Sequence, residues 1–283
     1  MVPVAASPSG SVLRELHSHL NITESFWRKD VRPDGRELGE VRHTILNVGS
    51  IGTAEGSALV KLGNTTVLCG VKAELTNPKA EEPKLGFIVP NVELSPLCAA
   101  TFRPGPPSEQ AQVMSQFVND VIVNSKCVDR EDLLIAEGKL VWVLYCDMLC
   151  LDYDGNISDA CLLALVAALK NTELPLVTVD EETDQIMTDA HKKMKLRVHS
   201  CPVSTTFSIF EDQIVIADPT NEEESLTYGV LSIVTVGNKL CAVHKPGGHP
   251  LPEDKIEQCI DRAFLRCQEI SQLIEDTVTS VKR

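Results

Sequence analysis

Apolar and polar positions alternate from Gly56 to Val71, with a break at Gly63-Asn64. Leu59 and Leu62 flank Lys61, and Val67, Leu68 and Val71 resume the pattern, which predicts a β-hairpin closed by a tight turn. A short strand over Thr44 to Val48 leads into it. Residues 76–86, with Asn77-Pro78, Pro83 and Gly86, read as a polar surface loop, and Ile88 to Leu94 as the next strand. Pro104-Gly105-Pro106-Pro107 forms a rigid break. Ser108 then caps a helix to Asn124, whose Val113, Phe117 and Val121 recur at spacing four. The run Leu140 to Leu151 lies between Gly138 and Gly155 and predicts a buried strand. Asp154-Gly155-Asn156 is a turn, and Asp159 to Leu169 predicts a helix apolar nearly all round, hence central to the core.

The later half is rich in strands. Val203 to Phe210, Gln213 to Ala217, Leu226 to Val236 and Lys239 to His244 read as a meander ended by Pro246-Gly247-Gly248. Residues 253–280 predict a long amphipathic helix with Ile256, Ile260, Ala263, Cys267, Ile270 and Ile274 on one face. At the start, residues 1–10 are Pro/Ser/Ala-rich and loose, and 11–29 predict a helix capped by Ser11 with Leu13, Leu16 and Leu20 in line. The class is α+β in two halves: an N-terminal extension and helix over 1–30, a first domain over 31–179, a polar linker over 180–195, and a second domain over 196–283 ending in the long helix.

Composition narrows the function. The 283 residues are 43% hydrophobic but only 4% aromatic, so the core is aliphatic. A net charge of −14 argues against a freestanding nucleic-acid binder, which carries a basic footprint to neutralise phosphates. Contact with RNA would need a local patch or an assembly whose other members bring positive charge. No apolar run approaches the ~20 residues that span a bilayer. With no secretory pattern over Met1 to Gly10, a soluble intracellular protein with no membrane partner is expected. Cys69, Cys146, Cys150, Cys161 and Cys241 sit in apolar runs and no Cys-x-x-Cys pair occurs, which favours reduced thiols over a disulfide or zinc scaffold.

Three clusters could carry chemistry. Asp147, Asp152, Asp154, Asn156 and Asp159 could form an acid or metal site, but a strand end, an Asp-Gly turn and a helix cap account for them more simply. Asp218 to Glu224, reading DPTNEEE, is either a carboxylate site or a solvated acidic turn. Lys192, Lys193, Lys195 and Arg197 could touch a phosphate backbone, although a charged surface segment is the commoner outcome. No Walker loop, GxGxxG or HxxxH occurs, so neither a cofactor nor a metal is expected.

RPDGRELGEVR at 32–42, GSALVKLGNTTVLCGV at 56–71, VPNVELSPLC at 89–98, FRPGPPSEQAQV at 102–113, GKLVWVLYCDMLCLDYDGNISDA at 138–160, DPTNEEE at 218–224 and HKPGG at 244–248 together resemble the RNase PH family. The LDYDGNISDA wording is similar to its non-catalytic branch of exosome ring subunits. The resemblance implies an RNase PH fold with two ribosomal protein S5 domain 2-like halves. It implies a six-subunit ring with a central RNA channel and three S1/KH cap subunits. The neighbour it implies is of the ribosomal RNA-processing protein 46 type, cleavage falls to separate hydrolytic subunits, and the location is nucleus, nucleolus and cytoplasm.

Active members of the family carry an aspartate, five residues and a second aspartate that works with a metal ion. Asp218 matches the first position, and Glu224 stands at the second with a longer side chain. A displacement of ~1 Å there can cost ~100-fold in rate. Active members also hold phosphate with arginines on the helix after the Gly/Pro loop, whereas Ser108 to Lys126 contains none, and Arg103 is the one nearby cation. The resemblance therefore implies a non-enzymatic scaffold, with Asp218 and Glu224 as degenerate catalytic positions and Arg103, Lys192 and Lys193 as candidate RNA contacts. An active phosphorolytic 3′-exoribonuclease borrowing a partner's arginines, and a protein-interaction module outside any RNA pathway, remain alternatives.

Overall fold

The computed structural model describes Trp27 and residues 30–179, 186–210 and 214–280. The helix expected over 11–29 therefore lies, apart from Trp27, outside the described residues.

The first half is a mixed sheet of β1 (Thr44–Val48), β2 (Gly56–Leu62), β3 (Thr65–Thr76), β4 (Phe87–Leu94), β5 (Leu134–Ala136) and β6 (Leu140–Asp152). The strand order is β1-β2-β3-β6-β4, with β5 also beside β6; β4 runs parallel to β6 and the other pairings are antiparallel. The hairpin forms as its alternation predicts, with Leu62 opposite Thr65 across the Gly63-Asn64 turn. Val60, Leu62, Val67 and Cys69 face inward, while Leu59 and Leu68 lie partly exposed on the other face.

Helix α1 (Glu109–Ser125) starts where Ser108 Oγ accepts a hydrogen bond from the Ala111 N–H at 3.2 Å. Phe117 and Val121 are buried, but Val113, expected on the same face, is exposed. Helix α2 (Ile157–Asn171) packs on β2 and β3 on one side and on the second sheet on the other. A helix between two sheets has no solvent face, which is why Cys161 to Leu169 is apolar all round.

The second sheet comprises β9 (Pro202–Ile209), β10 (Val215–Ala217), β11 (Gly229–Val236) and β12 (Lys239–His244) in the order β10-β9-β11-β12. This corrects the expected meander, because β9 lies inside the sheet between β10 and β11. The segment that carries the chain from β10 past β9 to β11 includes a short helix, α3 (Asn221–Leu226), where a strand was expected to begin at Leu226. Helix α4 (Glu253–Ser280) covers β9 and β11 and reaches β1, burying Cys259, Ala263, Cys267, Ile270, Ile274 and Val278 while Ile256 stays exposed.

A second correction concerns 180–195. Residues 186–195 form β8 (Ile186–Lys195), paired antiparallel with β7 (Glu173–Val179), and 180–185 lie outside the described residues. The polarity of the segment resembled a loop because a two-stranded ribbon satisfies its backbone by pairing and buries little.

Candidate functional site

RPDGR forms a tight turn. The Arg32 N–H bonds the Arg36 carbonyl at 2.9 Å, the Gly35 N–H bonds the Arg32 carbonyl at 3.0 Å, and Gly35 adopts φ +88°. Asp34 accepts from the Arg36 backbone N–H at 3.1 Å and from Arg36 Nε at 2.6 Å. This turn aims three arginines, Arg32, Arg36 and the following Arg42, at the DPTNEEE segment of the other half.

Arg32 is fully buried and every guanidinium N–H is used. Nε and Nη2 grip the Glu223 carboxylate as a fork, with Nε at 2.9 Å from Oε1, and Nη1 and Nη2 donate to the carbonyls of Glu40, Ala217 and Asp218. Glu223 is in turn fixed by a capping box with Thr220 at the start of α3. The expectation of a solvated acidic turn is overturned here, since Asp218 and Glu223 are buried and hydrogen-bonded. The reason is that the arginines compensate their desolvation.

Asp218, at φ +49°, is saturated. Its Oδ2 accepts from the Arg42 backbone N–H at 2.8 Å, Arg42 Nε at 2.9 Å and Arg36 Nη1 at 3.2 Å, and its Oδ1 from Arg42 Nη2 at 2.8 Å and Asn156 Nδ2 at 2.6 Å. Burial raises its pKa, but the hydrogen bonds and charge of Arg42 outweigh that and hold the carboxyl below the usual range. Arg42 also donates to the Asp154 carbonyl at 2.7 Å, which ties the turn before α2 into the same lattice.

Glu224 lies beside this pair. Its Oε1 accepts the Asn156 backbone N–H at 2.7 Å and its Oε2 the Tyr153 hydroxyl at 3.0 Å. Asn156 is the N-cap of α2, in a left-handed conformation with no side-chain cap of its own, so Glu224 supplies the anion at that helix end. Burial is the largest influence on Glu224 and pushes its pKa up despite these donors. Asp159, in the first turn of α2, accepts from Asn156 Nδ2 and from both the N–H and hydroxyl of Thr206, and is likewise raised by burial.

The structure thus brings Asp218 and Glu224 together on Asn156 and joins Asp154 and Asp159 to them. Asp147 is separate, on β6, accepting from Asn91. Arg103 is exposed in the Pro-Gly loop, which lines a cleft of about 660 Å³ between the end of β4 and the start of α1. That cleft reaches the lattice through its lining residue Phe102, edge-on to Tyr153 at 5.3 Å; Gln110 of α1 separately donates to the Tyr153 hydroxyl at 3.3 Å. Lys192 and Lys193 are exposed on β8, outside this constellation.

The metal ion that the resemblance implies does not fit these residues. Both oxygens of Asp218 are occupied, and two guanidinium groups stand where a cation would approach. Both oxygens of Glu224 have donors as well. Among the described residues, no group of three or more His, Cys, Asp or Glu side chains is placed to hold an ion.

The sequence did not single out Arg32, Arg36, Arg42 or Tyr153 as site residues, although Glu223 fell within the DPTNEEE cluster. Their partners lie up to 191 positions away, and the charged RPDGR turn was the only local signal.

Two family models match. The 3′ exoribonuclease family, domain 1, covers residues 40–175, and domain 2 of that family covers 200–265. The chain is 39% identical over 236 residues to the exosome complex component rrp43 of Schizosaccharomyces pombe, spanning 83% of this chain and 87% of that one. It is 36% identical over 260 residues to the exosome complex component Rrp42 of Methanothermobacter thermautotrophicus, spanning 92% and 94%. Its fold matches a chain of the Archaeoglobus fulgidus exosome with RNA bound to the active site, with TM-score 0.81, 35% identity and coverage of 91% of this chain and 98% of that one. Two α+β halves sharing a central helix, the hairpin, the RPDGR turn locked onto DPTNEEE, and these matches over most of the length give one conclusion: the chain belongs to the RNase PH, or 3′ exoribonuclease, family.

Proposed function

We propose that this chain is a non-catalytic subunit of the RNA exosome core ring, supporting 3′-to-5′ RNA processing and degradation, including ribosomal RNA maturation and mRNA turnover. The observation that carries the reading is the fate of the two carboxylates. A phosphorolytic site needs a free carboxylate, a metal ion and cations that hold an incoming phosphate. Asp218 is instead neutralised by Arg42, and Glu224 is spent on the N-terminus of α2. Helix α1 offers no arginine to phosphate.

The relatives named as exosome components support the ring placement. A likeness to rice Rrp46 at 18% identity and TM-score 0.65 bears on the fold alone. In this reading the chain's neighbours are other RNase PH-type subunits, one of the ribosomal RNA-processing protein 46 type, with S1/KH proteins capping the ring and RNA passing through its channel. The nucleus, nucleolus and cytoplasm are the compartments proposed.

The test has two parts. Native mass spectrometry of the endogenous complex should find this chain with several RNase PH-type partners; recovery as a stable monomer overturns the ring reading. Incubation of the chain, alone and with its neighbour, with RNA and inorganic phosphate should release no nucleoside diphosphate. Diphosphates that disappear with Glu224→Ala would make the chain an enzyme.

A further inference from the structure

Strand β8 and its continuation carry Lys192, Lys193, Lys195 and Arg197, four cations within six residues of a chain whose net charge is −14. All four are exposed, with side-chain exposure of 74% at Lys192 and 79% at Arg197. Side chains alternate faces along a strand with a rise of ~3.3 Å per residue, so Lys193 and Lys195 share one face roughly 6.6 Å apart. Leu196 is buried, which turns Arg197 outward again as the next cation in line.

These charges are weakly answered within the chain. Lys193 lies opposite Pro175, so no carboxylate faces it across the ribbon, and Lys195 lies opposite Glu173. The Lys192–Asp189 and Arg197–Asp132 contacts are both 3.7 Å and solvent-exposed, the kind of pair worth about 0–1 kcal/mol. Asp132 is engaged more closely by His199, at 2.6 Å. The cations stand in a row on an extended ribbon and do not ring a pocket. That geometry suits a linear polyanion.

We propose that the β7–β8 ribbon binds the phosphodiester backbone of single-stranded RNA through Lys193, Lys195 and Arg197, with Lys192 beside them. The proposal rests on the exosome reading and adds to it an RNA contact remote from the Asp218–Glu224 lattice. Backbone cations carry no base information, so the contact is independent of sequence. It reconciles an acidic chain with an RNA pathway by gathering four cations on one exposed strip.

The test uses the assembled complex and, in parallel, the isolated chain, with thiouridine-substituted single-stranded RNA. Photocrosslinks should map to peptides within 186–197 for the wild-type chain and for Lys193→Arg/Lys195→Arg, and vanish for Lys193→Glu/Lys195→Glu. Replacing Lys193, Lys195 and Arg197 by Ala should make the plot of log affinity against log salt shallower by about 2, at ~0.7 per lost phosphate contact. A complex that assembles and binds RNA with no crosslink to this ribbon and an unchanged salt slope overturns the proposal. So does charge reversal that blocks assembly, which would make the strip a contact for an acidic partner subunit. Ribbon crosslinks on a wild-type chain that enters no complex would sustain the ribbon and overturn the ring.

Discussion

Arg42 closes on Asp218 through both carboxylate oxygens, Nε to Oδ2 at 2.9 Å and Nη2 to Oδ1 at 2.8 Å, across 176 positions of sequence. The pair is buried and fastens the first half of the molecule to the second. Truncating Arg42 to Met leaves Asp218 charged and desolvated, which should cost about 3–5 kcal/mol. Replacing both partners, Arg42→Met with Asp218→Leu, should cost less than the sum of the single changes. Urea unfolding midpoints of the four proteins check this; additive losses would mean the two side chains do not act as a unit.

Glu224→Asp restores the aspartate of active relatives but withdraws the carboxylate from the Asn156 N–H. Loss of that helix-end anion should destabilise the chain by about 1 kcal/mol. No phosphorolysis should appear, because Asp218 stays locked to Arg42. The measurements are a thermal melt and nucleoside diphosphate release from RNA with phosphate.

Stability should respond to acid in two stages of opposite sign. Glu224 and Asp159 have raised pKa values in the fold, so the folded state takes up protons before the unfolded chain does. Their contribution to stability therefore rises as pH falls from neutral towards the ordinary carboxylate range. Asp218 is depressed, so its contribution is present above its unfolded value and is lost as pH falls through its lower folded value. Unfolding free energy against pH should pass through a maximum on the acidic side and then drop. Glu224→Gln should flatten the rise and keep the drop, whereas a monotonic fall from neutral pH in the wild type would refute the assignment.

Gly155 is a close backbone approach between the halves. A Cβ there would lie 2.6 Å from Asn221 N and 2.6 Å from Thr220 C, and the residue has φ +73°. Gly138 has a similar φ of +70° but nothing within 4 Å. Gly138→Ala should cost only the left-handed strain, about 1–2 kcal/mol. Gly155→Ala should cost clearly more, since backbone must move as well. Paired thermal melts decide it; equal losses would show that the approach of α3 to the turn is not tight.

Burial pushes the Cys161 and Cys127 thiols up to about 12, leaving little thiolate at neutral pH. Native chain should therefore label first at the partly exposed Cys98, Cys201 and Cys241, with Cys127 and Cys161 reacting only on unfolding. Peptide mapping after alkylation with and without denaturant tests the order.

Much of the fold was legible along the chain. The Gly63-Asn64 hairpin, the Ser108 cap and the all-apolar Cys161–Leu169 helix are local or periodic signals, and each element formed within a few residues of its expected limits. The β7–β8 ribbon was missed because strands held mainly by pairing, with few buried side chains such as Leu174, need no apolar alternation. The strand order of the second sheet was missed because nothing within β10 or β11 says that both must flank β9.

Amino-acid order alone determined the Gly63-Asn64 hairpin, the Ser108-capped and all-apolar helices and the family phrases, since periodicity, caps and turns act over a few residues. The tertiary structure decided what DPTNEEE does. Whether a carboxylate is a free ligand or one half of an internal ion pair depends on which charge lies within a few ångströms of it. For Asp218 and Glu223 that charge arrives from the RPDGR turn and Arg42, more than 170 residues earlier in the chain.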